Sequence, residues 1–145
     1  MNRTQVFVSF DVELDGELFE ELREQSSSYG FAVSGGSERH TATDVWNERV
    51  RRRIRNADQV IFICGEHTGA SASMSTEIRI AQQEKTPYFL LWGRREIMCT
   101  KPVGAKPAEG MYLWSPQVLH DQIAITSRST QTDELAETLR SSWKR

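Results

Sequence analysis

Val60-Ile61-Phe62-Ile63-Cys64 is an uninterrupted apolar run near the middle of the chain. A strand with one face in solvent would alternate apolar and polar residues, and this run does not alternate. Unbroken apolar runs of strand length are typical of central strands in parallel sheets, which are buried on both faces. The run therefore predicts a central strand of an α/β sheet and is the best core candidate of the chain.

Further strand-length segments lie on both sides of this run, and amphipathic segments separate them. Strands are predicted at residues 6–10, 31–33, 88–92 and 111–114, the last of them at a sheet edge. Helical spacing is found in three apolar sets: Leu14, Leu18, Phe19 and Leu22; Val45, Trp46, Val50 and Ile54; Met74, Ile78 and Ala81. The alternation predicts an α/β protein with a mostly parallel, five-stranded sheet and helices on both faces.

Local signals place the ends of the helices and the loops. Side chains suited to cap the later helices are Thr43 or Asp44, Ser71 or Ser73, Ser115, and Thr132. The helix after Ser115 is predicted to run through Ile123, and the final helix to end near Trp143. Residues 34–37 are interpreted as a loop with backbone angles that favour glycine. Residues 94–110 lack periodicity and are interpreted as an extended loop.

Composition restricts the class of protein. The 145 residues include 18 Lys+Arg and 20 Asp+Glu, which gives a formal net charge of −2, and 38% are hydrophobic. This favours one domain over residues 1–145, with too few apolar residues for a membrane protein and no basic excess for nucleic-acid binding. The N-terminus is neither a secretory signal nor a transit peptide, so a cytoplasmic location is expected. Two cysteines and three histidines predict no disulfide framework and no metal site.

Several common catalytic motifs are missing. The sequence contains no GxGxxG, GxxxxGK[ST], GxSxG, HExxH or CxxC, which removes the sequence basis for Rossmann, P-loop, serine-hydrolase, zincin and thioredoxin chemistry. A response-regulator receiver would have a similar sheet, with acids such as Asp11 after its first strand. The predicted third strand ends Cys64-Gly65-Glu66, without an aspartate to accept a phosphoryl group, and this decides against a receiver.

The informative residues of an open parallel sheet are those that follow each strand, because ligands bind beyond the carboxyl ends. These are Ser9, Phe10 and Asp11, then residues 34–39, and then residues 65–71 with His67 and Ser71. Glu77 lies on the next helix, and Ser73 shares its face at i−4. A single carboxylate in a cleft suits glycosidic chemistry, since it stabilises positive charge on a sugar ring and accepts hydrogen bonds from ribose hydroxyls.

The order of these segments resembles the TIR-like domains of bacterial antiphage systems, particularly the small TIR-like proteins of the Thoeris type. The resemblance rests on GEHTGASASMSTEIRIAQQEKTPYFLL at residues 65–91 and on VFVSF at residues 6–10. It also rests on the Trp46 helix followed by Ile54-Arg55-Asn56-Ala57-Asp58, and on Tyr112-Leu113-Trp114-Ser115. It covers nearly the whole chain and implies a flavodoxin-like three-layer sandwich.

The resemblance also implies an activity. Enzymatic TIR domains use a glutamate after the third strand to cleave nicotinamide from NAD, and Glu77 matches it. Ser71 matches the serine six residues before that glutamate, whereas Ser73 stands where many TIR sequences have tryptophan. The implied small molecule is NAD as substrate, with no separate cofactor. Thoeris-type members make a cyclic or conjugated ADP-ribose signal, which implies an effector protein that receives the product. Self-association of the chain is a separate expectation from the same resemblance.

Each candidate has a structural alternative. Glu77 could pair with Arg79 or Lys85 on a solvated helix, and His67 could hold the backbone before the third helix. Phe10 could belong to the core instead of stacking on a base. Asp11 could favour the positive N-terminus of the first helix instead of contacting a ribose. Two other functions also stay open: a TIR-like interaction module without activity, and a nucleoside deoxyribosyltransferase-like enzyme that uses the glutamate as a nucleophile.

Overall fold

The computed structural model describes residues 3–41 and 43–126, which form a five-stranded sheet with helices on both faces. The strands are β1 Thr4–Ser9, β2 Phe31–Gly36, β3 Gln59–Cys64, β4 Tyr88–Trp92 and β5 Met111–Leu113. The helices are α1 Gly16–Gln25, α2 Asp44–Asn56, α3 Ala72–Glu84 and α4 Pro116–Thr126. The final helix predicted from Thr132 to Trp143 lies outside the described residues.

The strand order is β2-β1-β3-β4-β5, and every neighbouring pair is parallel. This is the flavodoxin-like order, in which the direction of winding changes between β1 and β3. The predicted three-layer α/β sandwich is therefore confirmed. A crevice forms beyond the carboxyl ends of β1 and β3, because their connections leave in opposite directions.

The core lies in two layers, one on each face of the sheet. All six residues of β3 are buried, as the opening apolar run predicts. On one face, α2 and α3 contribute Trp46, Val50, Ile54, Met74 and Ile78. On the other face, α1 and α4 contribute Leu18, Leu22, Leu119 and Ile123. Within the described residues, no helix is both long and apolar enough to cross a bilayer.

Two apolar residues assigned to buried helix faces are exposed. Leu14 is 52% exposed because α1 begins only at Gly16. The preceding turn is held by the Asp11 carboxylate, which accepts hydrogen bonds from the amides of Glu13 and Leu14. Val45 is 69% exposed, since Trp46 and the residues four and eight positions after it fill the buried face of α2.

The interpretation of residues 34–37 as a loop is wrong, because β2 continues through Gly36. Gly35 and Gly36 do not adopt positive φ angles; within the described residues the glycines that do are Gly30 and Gly104. Glycine is needed at position 36 for space, as a Cβ there would lie 2.7 Å from Phe19 Cε1. Ser34 is an extra residue in the β1–β2 ladder, where Val6 opposes Val33 and Phe7 opposes Gly35.

The predicted caps are found where the sequence offered a choice. Thr43 Oγ1 accepts a hydrogen bond from the Trp46 amide at 3.1 Å, so Thr43 and not Asp44 caps α2. Ser71 Oγ accepts one from the Met74 amide at 3.3 Å and caps α3. Both caps satisfy helix amides that otherwise lack a partner. Residues 94–110 contain no strand or helix, as predicted.

Candidate functional site

The candidate site is centred on the Glu77 carboxylate, in the second turn of α3. The residue is 0% exposed. Its Oε1 accepts hydrogen bonds from Ser9 Oγ at 2.5 Å and from Ser37 Oγ at 2.7 Å. Ser9 ends β1 and Ser37 directly follows β2, so segments distant in sequence meet at one carboxylate oxygen. The solvated helix glutamate considered from the sequence is therefore not what the structure contains.

The second oxygen of the same carboxylate, Oε2, is buried and has no hydrogen-bond partner among the described residues. Burial raises the pKa of Glu77 to about 7. The hydrogen bonds from Ser9 and Ser37 act in the opposite direction and favour the ionised form, while the charge of Glu38 raises the pKa further. The site thus holds a carboxyl group that titrates near neutral pH and has a free acceptor.

A surface cleft with a volume of about 340 Å³ reaches the start of α3, although Glu77 itself does not line it. It is formed by the segments after β1 and β2 and by the start of α3, with Asp11, Val12, Glu13, Arg39, His40, Ala70, Ser71, Ala72 and Ser73 as its lining. Ser73 precedes Glu77 by one helical turn on the same face. The backbones of Ser73 and Glu77 are therefore about 6 Å apart along the axis of α3.

The predicted serines have different roles. Ser9 is fully buried and bonds to Glu77, whereas Ser71 and Ser73 line the cleft. The Ser71 and Ser73 hydroxyls lie 3.3 Å apart, so the α3 cap extends into a hydroxyl pair on the cleft wall. Small side chains at both positions leave the start of α3 open to a ligand, where helix amides attract anions.

The structure places the other candidates apart from the carboxylate. Phe10 is 5% exposed and stacks on Phe19 with ring centroids 4.5 Å apart, so its ring belongs to the core. Asp11 lines the cleft and also holds the turn before α1 through Oδ1. His67 has an exposed side chain 3.4 Å from Glu66 and lies outside the set of cleft-lining residues.

Ser37 was missed by sequence reasoning, although it lies within the residues 34–39 singled out after the second strand. It donates to Glu77 Oε1 and also accepts a hydrogen bond from the Phe10 amide at 3.0 Å. Its position depends on the continuation of β2, since the Ser37 amide donates to Val8 O at 3.0 Å. The sequence signal for this site is a glycine pair followed by serine, but the same pattern is equally typical of a surface turn.

Ion pairs hold the segment that carries Ser37. Glu38 pairs with Arg49 at 2.8 Å and with Arg53 at 3.5 Å, both on α2. Arg51 and Arg55, on the same helix, pair instead with Glu84 at the end of α3. The basic run at residues 49–55 therefore links α2 to the segment after β2 and to the end of α3.

An ion pair between a buried carboxylate and a partly exposed arginine lies behind the first cleft segment. Asp15 is 3% exposed, and its Oδ1 accepts hydrogen bonds from Arg94 Nη2 at 2.8 Å and Nε at 3.2 Å. Burial raises the pKa of Asp15, although Arg94 acts to lower it. A Cβ on Gly65 would overlap the Asp15 carboxylate, so this arrangement requires glycine after β3.

Comparison with known proteins identifies a matching family. The family model of the Thoeris protein ThsB, TIR-like domain, matches residues 7–95, which is more than half of the chain. This range contains Glu77, both serines that bond to it and all residues that line the cleft. No curated protein matches the chain.

Proposed function

The chain belongs to the TIR-like domain family of the Thoeris protein ThsB, and from this premise we propose that it cleaves NAD between nicotinamide and ribose. Membership assigns the chain to a TIR-like role in antiphage defence. The observation that supports the proposed chemistry is the Glu77 carboxylate, buried, held through one oxygen by two serines and left with one free acceptor oxygen.

The proposed reaction breaks the bond between the nicotinamide nitrogen and ribose C1′. The electron pair of that bond leaves with nicotinamide, which becomes neutral, and positive charge develops on the ribose ring. A fixed carboxylate stabilises this charge most effectively where water is excluded. Ser9 and Ser37 hold Oε1, and Oε2 is the acceptor proposed for a ribose hydroxyl. Because Glu77 is fully buried, this contact requires the cleft wall at Ser73 to move aside when substrate binds.

The identity of the product depends on which nucleophile reacts with the ribose cation. Capture by water gives ADP-ribose and a proton, whereas capture by a nucleophile within the substrate or on a second molecule gives a cyclic or conjugated product. We propose that this ADP-ribose derivative is the signal that an effector protein receives. The same proposal includes self-association of the chain, which membership in the TIR-like family favours.

Incubation of the purified chain with NAD tests the proposal. We expect free nicotinamide in equal molar amount to the ADP-ribose-derived product, with both identified by mass spectrometry. Absence of turnover together with concentration-dependent oligomerisation would instead support an interaction module. A covalent glycosyl adduct on Glu77 with free nucleosides would support a deoxyribosyltransferase-like enzyme.

The pH dependence of the reaction supplies a prediction for Ser37. If ionised Glu77 is the active form, kcat/KM rises with pH through about 7, the pKa of the free enzyme. The Ser37 hydrogen bond lowers this pKa, so Ser37→Ala will move the acidic limb to higher pH. One hydrogen bond to a charged group corresponds to a shift of about one pH unit. The measurement is kcat/KM for nicotinamide release between pH 5 and 9.

Ser34→Ala is the matched control for this experiment. Ser34 lies three residues earlier, and its hydroxyl donates to Val6 O at 3.3 Å and not to Glu77. The acidic limb of the kcat/KM profile of Ser34→Ala is expected to coincide with that of the unsubstituted chain. A limb that moves to lower pH in Ser37→Ala, or does not move, would contradict the assigned role of the Ser37 hydrogen bond.

A further inference from the structure

Arg39 is a cleft residue whose charge is not used elsewhere in the described part of the chain. It lines the cleft and is exposed, and it forms no ion pair or hydrogen bond with another described residue. The adjacent acid, Glu38, is already paired with two arginines of α2. In the segment after β2, Glu38 is therefore paired with α2, and Arg39 lies at the cleft without an ion pair to another described residue.

Acidic residues line the same cleft without neutralising Arg39. Asp11 and Glu13 follow β1, and neither forms an ion pair with Arg39. A cleft of about 340 Å³ thus contains charges of both signs that have no ion-pair partner in the part of the chain that the structure describes. Separated charges of this kind suit a ligand that carries both a cation and an anion, because each charge then gains a partner on binding. The first turn of α3 adds amide donors on the wall that contains Ser71 and Ser73.

We propose that Arg39 binds the pyrophosphate of the dinucleotide and determines the preference for phosphate-bearing substrates. This inference rests on the proposed function. NAD carries a cationic nicotinamide ring and an anionic pyrophosphate, which match the two kinds of charge in the cleft. A guanidinium group presents paired N–H donors that bind two phosphate oxygens at once, and such bonds are among the stronger ones in proteins. Arg39 is therefore a specificity residue and not a group that acts on the breaking bond.

Equilibrium binding to the full chain tests this assignment. The ligands are NAD and nicotinamide riboside, which has the same cationic ring and ribose but no phosphate. Binding is measured in a Glu77→Gln background so that the ligand is not consumed. Arg39→Ala is expected to weaken NAD binding by about 10- to 100-fold. The affinity for nicotinamide riboside is expected to change less than about twofold, because no ion pair is lost.

Arg52→Ala is the control, since Arg52 is an exposed arginine of α2 outside the cleft lining and without a partner among the described residues. We expect both affinities to be unchanged. The inference is overturned if Arg39→Ala weakens both ligands equally, leaves NAD binding unchanged, or if the parent protein does not bind NAD. If NAD binds with this dependence on Arg39 but wild-type protein releases no nicotinamide, only the proposed function fails.

Discussion

Replacement of Glu77 with glutamine will abolish nicotinamide release, with a loss in kcat of at least about 100- to 1000-fold. The amide keeps the size of the side chain and an oxygen that can accept the hydrogen bonds from Ser9 and Ser37. It cannot carry the negative charge that the developing ribose cation requires. The measurement is single-turnover nicotinamide release at pH 8, where the native carboxyl group is ionised. A variant with full activity would contradict the proposed role of Glu77.

The same variant has a second readout, in stability. The pKa of Glu77 in the folded protein, about 7, lies above its ordinary value of 4.5. The protonated carboxyl therefore favours folding below pH 4.5, and this contribution is lost as the pH rises through 7. Glutamine has no such loss. From pH 5 to pH 8, the difference in the free energy of unfolding between Glu77→Gln and the unsubstituted chain will therefore change by roughly 2–3 kcal/mol in favour of the variant.

Glu84→Gln provides the matched control, because Glu84 ends the same helix but pairs with Arg51 and Arg55, away from the cleft. Hydrogen bonds from these arginines lower the pKa of Glu84 to about 2. Its stabilising effect is complete above pH 4.5 and is lost only as the pH falls toward 2. The stability difference caused by Glu84→Gln should therefore stay constant between pH 5 and 8, and nicotinamide release should be unaffected.

Replacement of Arg94 with alanine will destabilise the fold by about 2–4 kcal/mol. This value lies between the typical cost of leaving a buried acceptor without a hydrogen bond and the typical cost of removing one partner of a buried ion pair. Arg94 also donates to Glu17 Oε1 at 2.8 Å and to Leu14 O at 3.0 Å. Without it, the buried Asp15 carboxylate loses its cation. Urea unfolding at pH 7 measures the cost, and a variant as stable as the parent would show that the ion pair contributes nothing.

The destabilisation by Arg94→Ala will depend on pH with a definite sign. Burial already raises the pKa of Asp15, and removal of Arg94 raises it further. A carboxyl group with a raised pKa favours folding while protonated and loses that contribution as the pH rises. The deficit will therefore be larger at pH 7 than near pH 4. Arg95→Ala is the control: Arg95 is exposed with no partner in the described residues, so a change within about 0.5 kcal/mol is expected.

The features predictable from sequence are those that depend on local patterns. The apolar run of β3 required burial on both faces, and the structure buries all six residues of that strand. Thr43 and Ser71 were among the predicted caps because a hydroxyl before a helix satisfies its free amides. Glu77 emerged as a candidate from its place on the helix after β3. The resemblance to TIR-like domains, and not the carboxylate alone, favoured it over a surface glutamate, and the structure shows that the residue is buried.

The features that sequence did not predict depend on contacts between distant segments. Gly36 belongs to a strand because it pairs with Val8 of β1, and glycine is needed there to leave room for Phe19, whereas a pattern read along the chain treats a glycine pair as a turn. Ser37 could not be assigned to the site until that strand had been extended. Asp15 lies in an acidic stretch and looks solvated, whereas its partner Arg94 is far away in the sequence. Both errors concern tertiary partners and not local propensity.

The two hydrogen bonds to Glu77 join residues that are 68 and 40 positions apart. Such contacts close large loops, whose entropic cost is recovered only once the strands between them have paired. No single strand–helix unit of this chain contains an assembled carboxylate. In a refolding experiment, nicotinamide release should therefore not precede formation of the β1–β2–β3 sheet. The onset of activity would report completion of the non-local topology, and a nascent chain would leave cellular NAD untouched until that point.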